Sequence, residues 1–172
     1  MRISVFVILC CFSALSCCSE VAGQATRKPS IDHLLRAFEE TIDRNVDVRN
    51  VIRHATNCEY AVVFLNVQWS PNSIVSQRRF AEFFLEYRSQ NPEGGVLFHF
   101  ADCTAVSERY EPLREIDGWM KLVDDRGSAL IHGNGEIAWI TDGRVLRVEA
   151  THRFENAAEF VQFTQKIFAN DG

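Results

Sequence analysis

Residues 61–73 read AVVFLNVQWSPNS and combine the pattern of a buried strand with that of a helix start. The first seven residues form a continuous apolar, β-branched run, which predicts a strand that is covered on both faces. Ser70 and Pro71 then suit the N-cap and the first turn of a helix. Apolar residues recur at helical spacing as far as Tyr87. We therefore expect a helix to start at Ser70 directly after the strand.

The chain after this helix predicts the rest of a mixed sheet. Residues 96–101 read VLFHFA and indicate a second buried strand, so strand, helix and strand form a βαβ unit with parallel strands. The sequence TDGR at 141–144 lies between two alternating segments and predicts a β-hairpin. The remaining predictions are a short helix at 105–116, a Gly- and Asp-rich link at 117–134 and a closing helix at 156–168.

Two further helices are expected before the first strand. Ser30 can cap a helix whose apolar residues recur as far as Ile42, and a second helical segment begins near Val48 and ends near Asn57. The expected architecture is therefore an α/β fold with a mixed sheet of about four strands flanked by helices.

The N-terminal residues have the layout of a secretory signal peptide. Arg2 precedes an apolar run at 3–18, and small residues follow at 21–25. We expect a signal peptide at 1–23, a polar tether at 24–29 and a single domain at 30–172, in a secreted or periplasmic protein. Cleavage after Ala25, an uncleaved membrane anchor and a lipid-modified Cys17 remain alternatives. Without an anchor, the mature protein has no predicted contact with a membrane.

Composition narrows the function classes. The chain has 172 residues and a net charge of -5, which gives no positive field for nucleic acid or anionic lipid. Of the six cysteines, only Cys58 and Cys103 lie beyond the apolar N-terminal run. The histidines and these cysteines have no ligand-like spacing, so neither a metal nor another cofactor is predicted.

The order of these elements, with an aromatic residue and a proline-containing tetrad after the first strand, resembles the thioredoxin family over about residues 58–169. That family has Trp-Cys-Gly-Pro-Cys where this chain has Trp69-Ser70-Pro71-Asn72-Ser73. Serine cannot supply the thiolate or the reversible disulfide that dithiol exchange requires. The resemblance therefore implies a thioredoxin-like fold without dithiol redox activity.

Three other family positions also differ. The buried Asp of thioredoxins matches Phe64 and its Lys partner matches Phe98, so an aromatic pair would replace a buried ion pair. The family's cis-proline matches Gly135, in the sequence HGNG at 132–135. We expect a flexible segment here, next to Ser70, in place of a rigid proline loop.

Redox-inactive relatives use this edge of the sheet to hold polypeptides, so the resemblance implies a protein-binding or scaffold module with an unidentified polypeptide partner. The candidate binding residues are Trp69, Ser70, Pro71, Ser73, Asp102, Cys103, Trp119, His132 and Asn134. The loop at 132–135 and the aromatic side chains are expected to form the exposed patch.

Simpler interpretations accompany these candidates. Ser70 is expected mainly to cap the helix, and His99 is expected to be a hydrogen-bonded core histidine. A hydrolase triad of Ser70, His132 and Asp102 is disfavoured because an N-cap serine is committed to backbone donors.

The alternative function is a weak thiol-dependent oxidoreductase that uses Cys103 alone. Asp102 next to it would raise the pKa of the thiol and reduce its reactivity. Cys58 and Cys103 are expected at opposite ends of the sheet, too far apart to form a disulfide.

Overall fold

The computed structural model describes residue 36 and residues 48–104, 113–126 and 131–170. The elements in chain order are α1 (Val48–Thr56), β1 (Tyr60–Asn66), α2 (Ser73–Gln90), β2 (Leu97–Asp102), α3 (Trp119–Arg126), β3 (Glu136–Thr141), β4 (Arg144–Ala150) and α4 (Ala157–Ala169), with short 3-10 turns at Leu113–Glu115 and Thr151–Arg153.

The four strands form one mixed sheet in the order β2-β1-β3-β4. β1 pairs with β2 in parallel, and Ala61 lies opposite Leu97. β1 pairs with β3 in the antiparallel sense, as β3 does with β4. The prediction of a thioredoxin-like α/β fold with a mixed four-stranded sheet and flanking helices is confirmed. Both predicted strands of the βαβ unit lie within one residue of their predicted bounds.

β1 lies in the interior, as its apolar run predicts. Every residue from Ala61 to Val67 is buried. Val63 and Leu65 belong to a mainly aliphatic layer that includes residues of α1, whereas Phe64 belongs to an aromatic layer shared with α2 and α4. Each large side chain buried in this way stabilises the fold by about 1.5–3 kcal/mol.

The aromatic layer explains how a phenylalanine replaces the family's buried Asp. The ring of Phe80 from α2 lies 5.0 Å from that of Phe64 and 6.0 Å from that of Phe98. Phe100, rather than Phe98, lies opposite Phe64 across the parallel strands, with ring centroids 5.4 Å apart. The expected pair of Phe64 and Phe98 is therefore part of a larger aromatic cluster, in which the ring of Phe80 lies between them.

Local turn and cap residues fix the C-terminal part of the fold. Asp142 and Gly143 have φ values of 44° and 77°, which suits the two central positions of a tight hairpin turn. Asn156 caps α4, and its side-chain oxygen accepts a hydrogen bond of 3.0 Å from the backbone N–H of Glu159. The predicted hairpin and closing helix are present.

Two predictions about elements are wrong. The helix after β1 begins at Ser73 with Asn72 at the N-cap, so Ser70 does not cap it. The Gly- and Asp-rich link contains α3, a helix that is stabilised by burial of Trp119 rather than by a long apolar stripe.

Several predictions lie outside the described residues. These are the signal peptide, the tether, most of the helix expected after Ser30, and residues 105–112 of the predicted short helix. Within the described part of the chain, no helix is long and apolar enough to cross a bilayer.

Candidate binding surface beyond β1

Trp69 is the most prominent feature where the chain leaves β1. Its side chain is 61% exposed, yet the ring rests against the loop at 132–135. A Cβ atom at Gly133 would lie 2.9 Å from the Trp69 ring and 2.7 Å from Cβ of Ser70, and Gly133 has a φ of +77°. Only glycine suits both this close approach and this backbone conformation. Pro71 and Val75 are also exposed, and Val75 is 65% exposed. We call Trp69, Pro71 and Val75 the Trp69 surface.

Ser70 is buried, and its hydroxyl bonds to the loop at 132–135 instead of capping α2. Its hydroxyl donates a hydrogen bond to the carbonyl oxygen of Gly133 and accepts one of 3.3 Å from the backbone N–H of Asn72. The side chain of Ser73, the second serine of the motif, lies outside what the structure describes.

The loop at 132–135 is held at several points by the chain itself. The carbonyl oxygen of Asn134 accepts hydrogen bonds from the hydroxyls of Ser76, at 2.9 Å, and Thr151, at 3.2 Å. The carbonyl oxygen of Gly135 accepts one of 3.0 Å from the backbone N–H of Thr151. The expectation of a flexible segment is therefore wrong, because side-chain hydrogen bonds and close glycine packing hold the loop.

Glu136 is the anchor of this loop, and the sequence interpretation missed it. The carboxylate is 4% exposed, and Oε1 accepts hydrogen bonds from the backbone N–H groups of His132, at 3.0 Å, and Asn134, at 3.3 Å. Nδ1 of His132 lies 3.8 Å from the same oxygen, although its ring is exposed. An acidic residue that opens an otherwise apolar strand directly after a Gly-rich loop is the signal that could have identified it.

Asp102 and Cys103 lie where β2 ends. Oδ1 of Asp102 accepts a hydrogen bond of 2.9 Å from the backbone N–H of Thr104, and Oδ2 accepts one of 2.8 Å from the amide of Gln68. Cys103 is 2% exposed, and burial raises the pKa of its thiol to about 12, with smaller contributions from the charges of Asp102 and Glu136. A thiol with this pKa is almost entirely protonated at neutral pH.

The structure separates the remaining candidates. Trp119 is fully buried against Leu113 and Ile116 in the aliphatic layer, so its assignment to an exposed aromatic patch is wrong. His99 is buried, as expected for a core histidine, and its ring lies 5.2 Å from that of His54.

The sequence disfavours both a hydrolase triad and a disulfide between Cys58 and Cys103. The hydroxyl of Ser70 bonds to Gly133, the carboxylate of Asp102 bonds to Gln68 and Thr104, and Nδ1 of His132 faces Glu136. In the described part of the chain none of the three candidate side chains bonds to another, so they do not form a triad. Cys58 lies before β1, whereas the N–H of Cys103 donates a hydrogen bond to the carbonyl oxygen of Asn66 at the far end of that strand. Both thiols are free.

An open groove of about 260 Å³ adjoins the Trp69 surface. It is lined by Asn72, Val75, Ser76, Arg79, Asn134, Thr151 and His152. The amide of Asn72 donates a hydrogen bond of 3.3 Å to Oδ1 of Asn134, which joins α2 to the loop. Among the described residues, no cluster of three or more His, Cys, Asp or Glu side chains could hold a metal ion. The groove lining offers the guanidinium of Arg79, the imidazole of His152 and several amide and hydroxyl groups as contacts for a ligand.

The chain matches no protein-family model and no curated protein. Similar solved structures include the zinc-bound form of human ERp44, with 15% identity over 70% of this chain and a TM-score of 0.47. The chain spans only 30% of the ERp44 chain. Another is the first thioredoxin domain of mouse protein disulfide-isomerase A4, with 9% identity over 74% of this chain and 78% of that domain, and a TM-score of 0.47.

Mitochondrial thioredoxin 3 from Saccharomyces cerevisiae, in its oxidized form, is also similar. The identity is 9%, the coverage is 74% of this chain and 96% of the thioredoxin, and the TM-score is 0.43. These likenesses concern the fold alone.

Proposed function

We propose that this protein is an exported thioredoxin-like domain that has no dithiol redox activity and binds a polypeptide at the Trp69 surface. The observation that carries the proposal is the position of Trp69, which is 61% exposed while its ring rests on the Gly133 loop. A large aromatic side chain that is exposed but already held in place is typical of a binding hot spot. Little side-chain freedom is left to lose when a partner covers it.

The exposed part of Trp69 sets the scale of the expected affinity. A tryptophan side chain buries about 150–250 Å² when it is fully covered. Covering the exposed fraction of Trp69 would remove about 100–150 Å² from water, which corresponds to at most about 3 kcal/mol, or a factor of about 100 in Kd, because the costs of association reduce what buried area contributes.

The proposed lack of redox activity is supported by Ser70 and by Cys103. Ser70 replaces the first cysteine of the motif, and its hydroxyl is bonded to Gly133. The alternative of an oxidoreductase that uses Cys103 is disfavoured because burial raises the pKa of this thiol to about 12. Catalytic turnover of insulin disulfides by the purified protein would contradict this part of the proposal.

Affinity capture with two matched variants tests the binding role. The wild type, Trp69→Ala and Leu97→Ala are each immobilised and exposed to the contents of the native extracytoplasmic compartment. Leu97 is a control because it is 41% exposed and begins β2, at the end of the sheet away from Trp69. We expect Leu97→Ala to retain the same partners as the wild type and Trp69→Ala to lose them. Equal retention by all three would refute binding at the Trp69 surface.

Export has its own test. N-terminal sequencing of the mature protein is expected to begin at Gln24, after removal of residues 1–23. A chain that retains Met1 in the cytoplasm would contradict the proposed localisation.

A further inference from the structure

The groove beside the Trp69 surface differs in charge from the protein as a whole. The chain has a net charge of -5, yet Arg79 is the charged residue that lines the groove, and no Asp or Glu lines it among the described residues. Amide, hydroxyl and aliphatic side chains supply the rest of its lining. The groove is therefore a local site for negative charge on an acidic protein.

Neither basic side chain of the groove is used internally. Within the described part of the chain, Arg79 and His152 make no side-chain hydrogen bond or ion pair, and Arg79 is only partly exposed. The neighbouring arginines differ, since Arg147 and Arg153 lie 2.6 Å and 3.6 Å from the carboxylate of Glu149. A guanidinium group without an internal partner can bind a carboxylate through two parallel hydrogen bonds.

Several backbone groups of the adjoining loop at 132–135 already have hydrogen-bond partners within the chain. The N–H groups of His132 and Asn134 donate to Glu136, and the carbonyl oxygen of Asn134 accepts from Ser76 and Thr151. A peptide terminus is usually captured by free backbone amides. These two amides are therefore not open to a terminal carboxylate, and Arg79 is the charged donor that the groove offers to an acidic side chain.

We propose that the groove binds an aspartate or glutamate side chain of an extended acidic peptide, with Arg79 as the main donor. Apolar residues beside the acid would cover Trp69 and Val75 at the rim. This inference rests on the proposed function, and it names the chemical class of the partner.

Selection from a random dodecapeptide phage library tests the class of ligand. We expect the immobilised wild type to enrich peptides in which Asp or Glu lies close to an aromatic or aliphatic residue. Arg79→Glu is expected to abolish the acidic preference. Arg78→Glu is the matched control, because Arg78 is the adjacent arginine on α2, is exposed and does not line the groove. It changes the net charge equally and is expected to select like the wild type.

Fluorescence anisotropy with one enriched peptide then measures the contribution of the charge. We expect about a tenfold weaker Kd when its acidic residues are replaced by Asn or Gln, and about the same loss with Arg79→Glu. We also expect weaker binding at higher salt, because the groove is open to solvent.

The outcomes separate this inference from the function on which it rests. Enrichment of peptides without an acidic preference, still lost in Trp69→Ala, would overturn the acidic ligand and leave binding at the Trp69 surface intact. Equal losses in Arg78→Glu and Arg79→Glu would overturn the role of the groove. Selection of no peptide, or selection unaffected by Trp69→Ala, would overturn the proposed function as well.

Discussion

Substitution of Gly135 by alanine tests whether the loop at 132–135 depends on glycine for its contact with α2. Gly135 has a φ of +70°, and a Cβ atom there would lie 2.1 Å from Cβ of Ser76 and 3.0 Å from the ring of Phe64. Side-chain atoms cannot approach this closely without a shift of the loop or the helix. Both the backbone conformation and the packing therefore oppose Gly135→Ala.

The chain offers a control that separates these two effects. Gly95 has a φ of +92°, but a Cβ atom there would have nothing within 4 Å. Gly95→Ala should cost about 1–2 kcal/mol of unfolding free energy, the usual penalty for a non-glycine residue in this conformation. Gly135→Ala should cost this amount and a further 1–3 kcal/mol, roughly, for overpacking. We expect a total loss of about 2–5 kcal/mol.

Urea unfolding of both variants measures the difference. A third variant removes the obstruction, since Ser76→Gly deletes the side chain that the new Cβ would contact. The free energy of unfolding that is lost in the double variant Gly135→Ala with Ser76→Gly should be smaller, by at least about 1 kcal/mol, than the sum of the losses in these two single variants. Equal losses in Gly95→Ala and Gly135→Ala, or strict additivity with Ser76→Gly, would refute the close packing of loop and helix.

Three further predictions concern single side chains. Trp69→Ala should lower the unfolding free energy by less than about 1 kcal/mol, whereas Trp119→Ala should lower it by about 3–5 kcal/mol because that ring is fully buried; thermal or urea unfolding compares them. Cys103 should resist alkylation at pH 7.5 in the folded protein, as measured by mass spectrometry. Its thiol has a pKa of about 12 when folded and a reference value of 9.0, so the unfolded chain loses this proton first. The free energy of unfolding should therefore fall as the pH rises from 9 to 12. Rapid labelling without unfolding would contradict this burial. Thr164→Val should cost about 1–3 kcal/mol by removing the acceptor for the indole N–H of Trp139, which is 3.0 Å away, and an unchanged urea midpoint would contradict that role.

Features whose cause is local could be predicted from the sequence. The apolar run at 61–67 indicates burial on both faces, and β1 is covered on both faces. Asp142 and Gly143 favour the required positive φ values without help from the rest of the chain. These physical preferences act within a few residues, so the sequence alone displays them.

Features that depend on distant partners were missed or assigned wrongly. Ser70 has the pattern of an N-cap, but its hydroxyl bonds to Gly133, which lies 63 positions away. α3 is short, and it depends on a core that accepts Trp119. Glu136 looks like a residue at the exposed start of a strand until the loop that needs its carboxylate is brought beside it. The closeness of Trp69 to the loop at 132–135 could therefore be predicted from the sequence, whereas the contacts that hold the loop could not.

The order of the strands makes the burial of β1 depend on residues far along the chain. β1 pairs with the next strand along the chain, β2, whereas its other neighbour, β3, begins only at Glu136. Tyr60 and Thr141 are partners separated by roughly eighty positions, and such non-local pairing forms slowly. The last described helix along the chain, α4, covers the aromatic layer against α2. β1 therefore depends on β3 and α4 for part of its cover, so loss of these C-terminal elements would leave its most apolar residues uncovered.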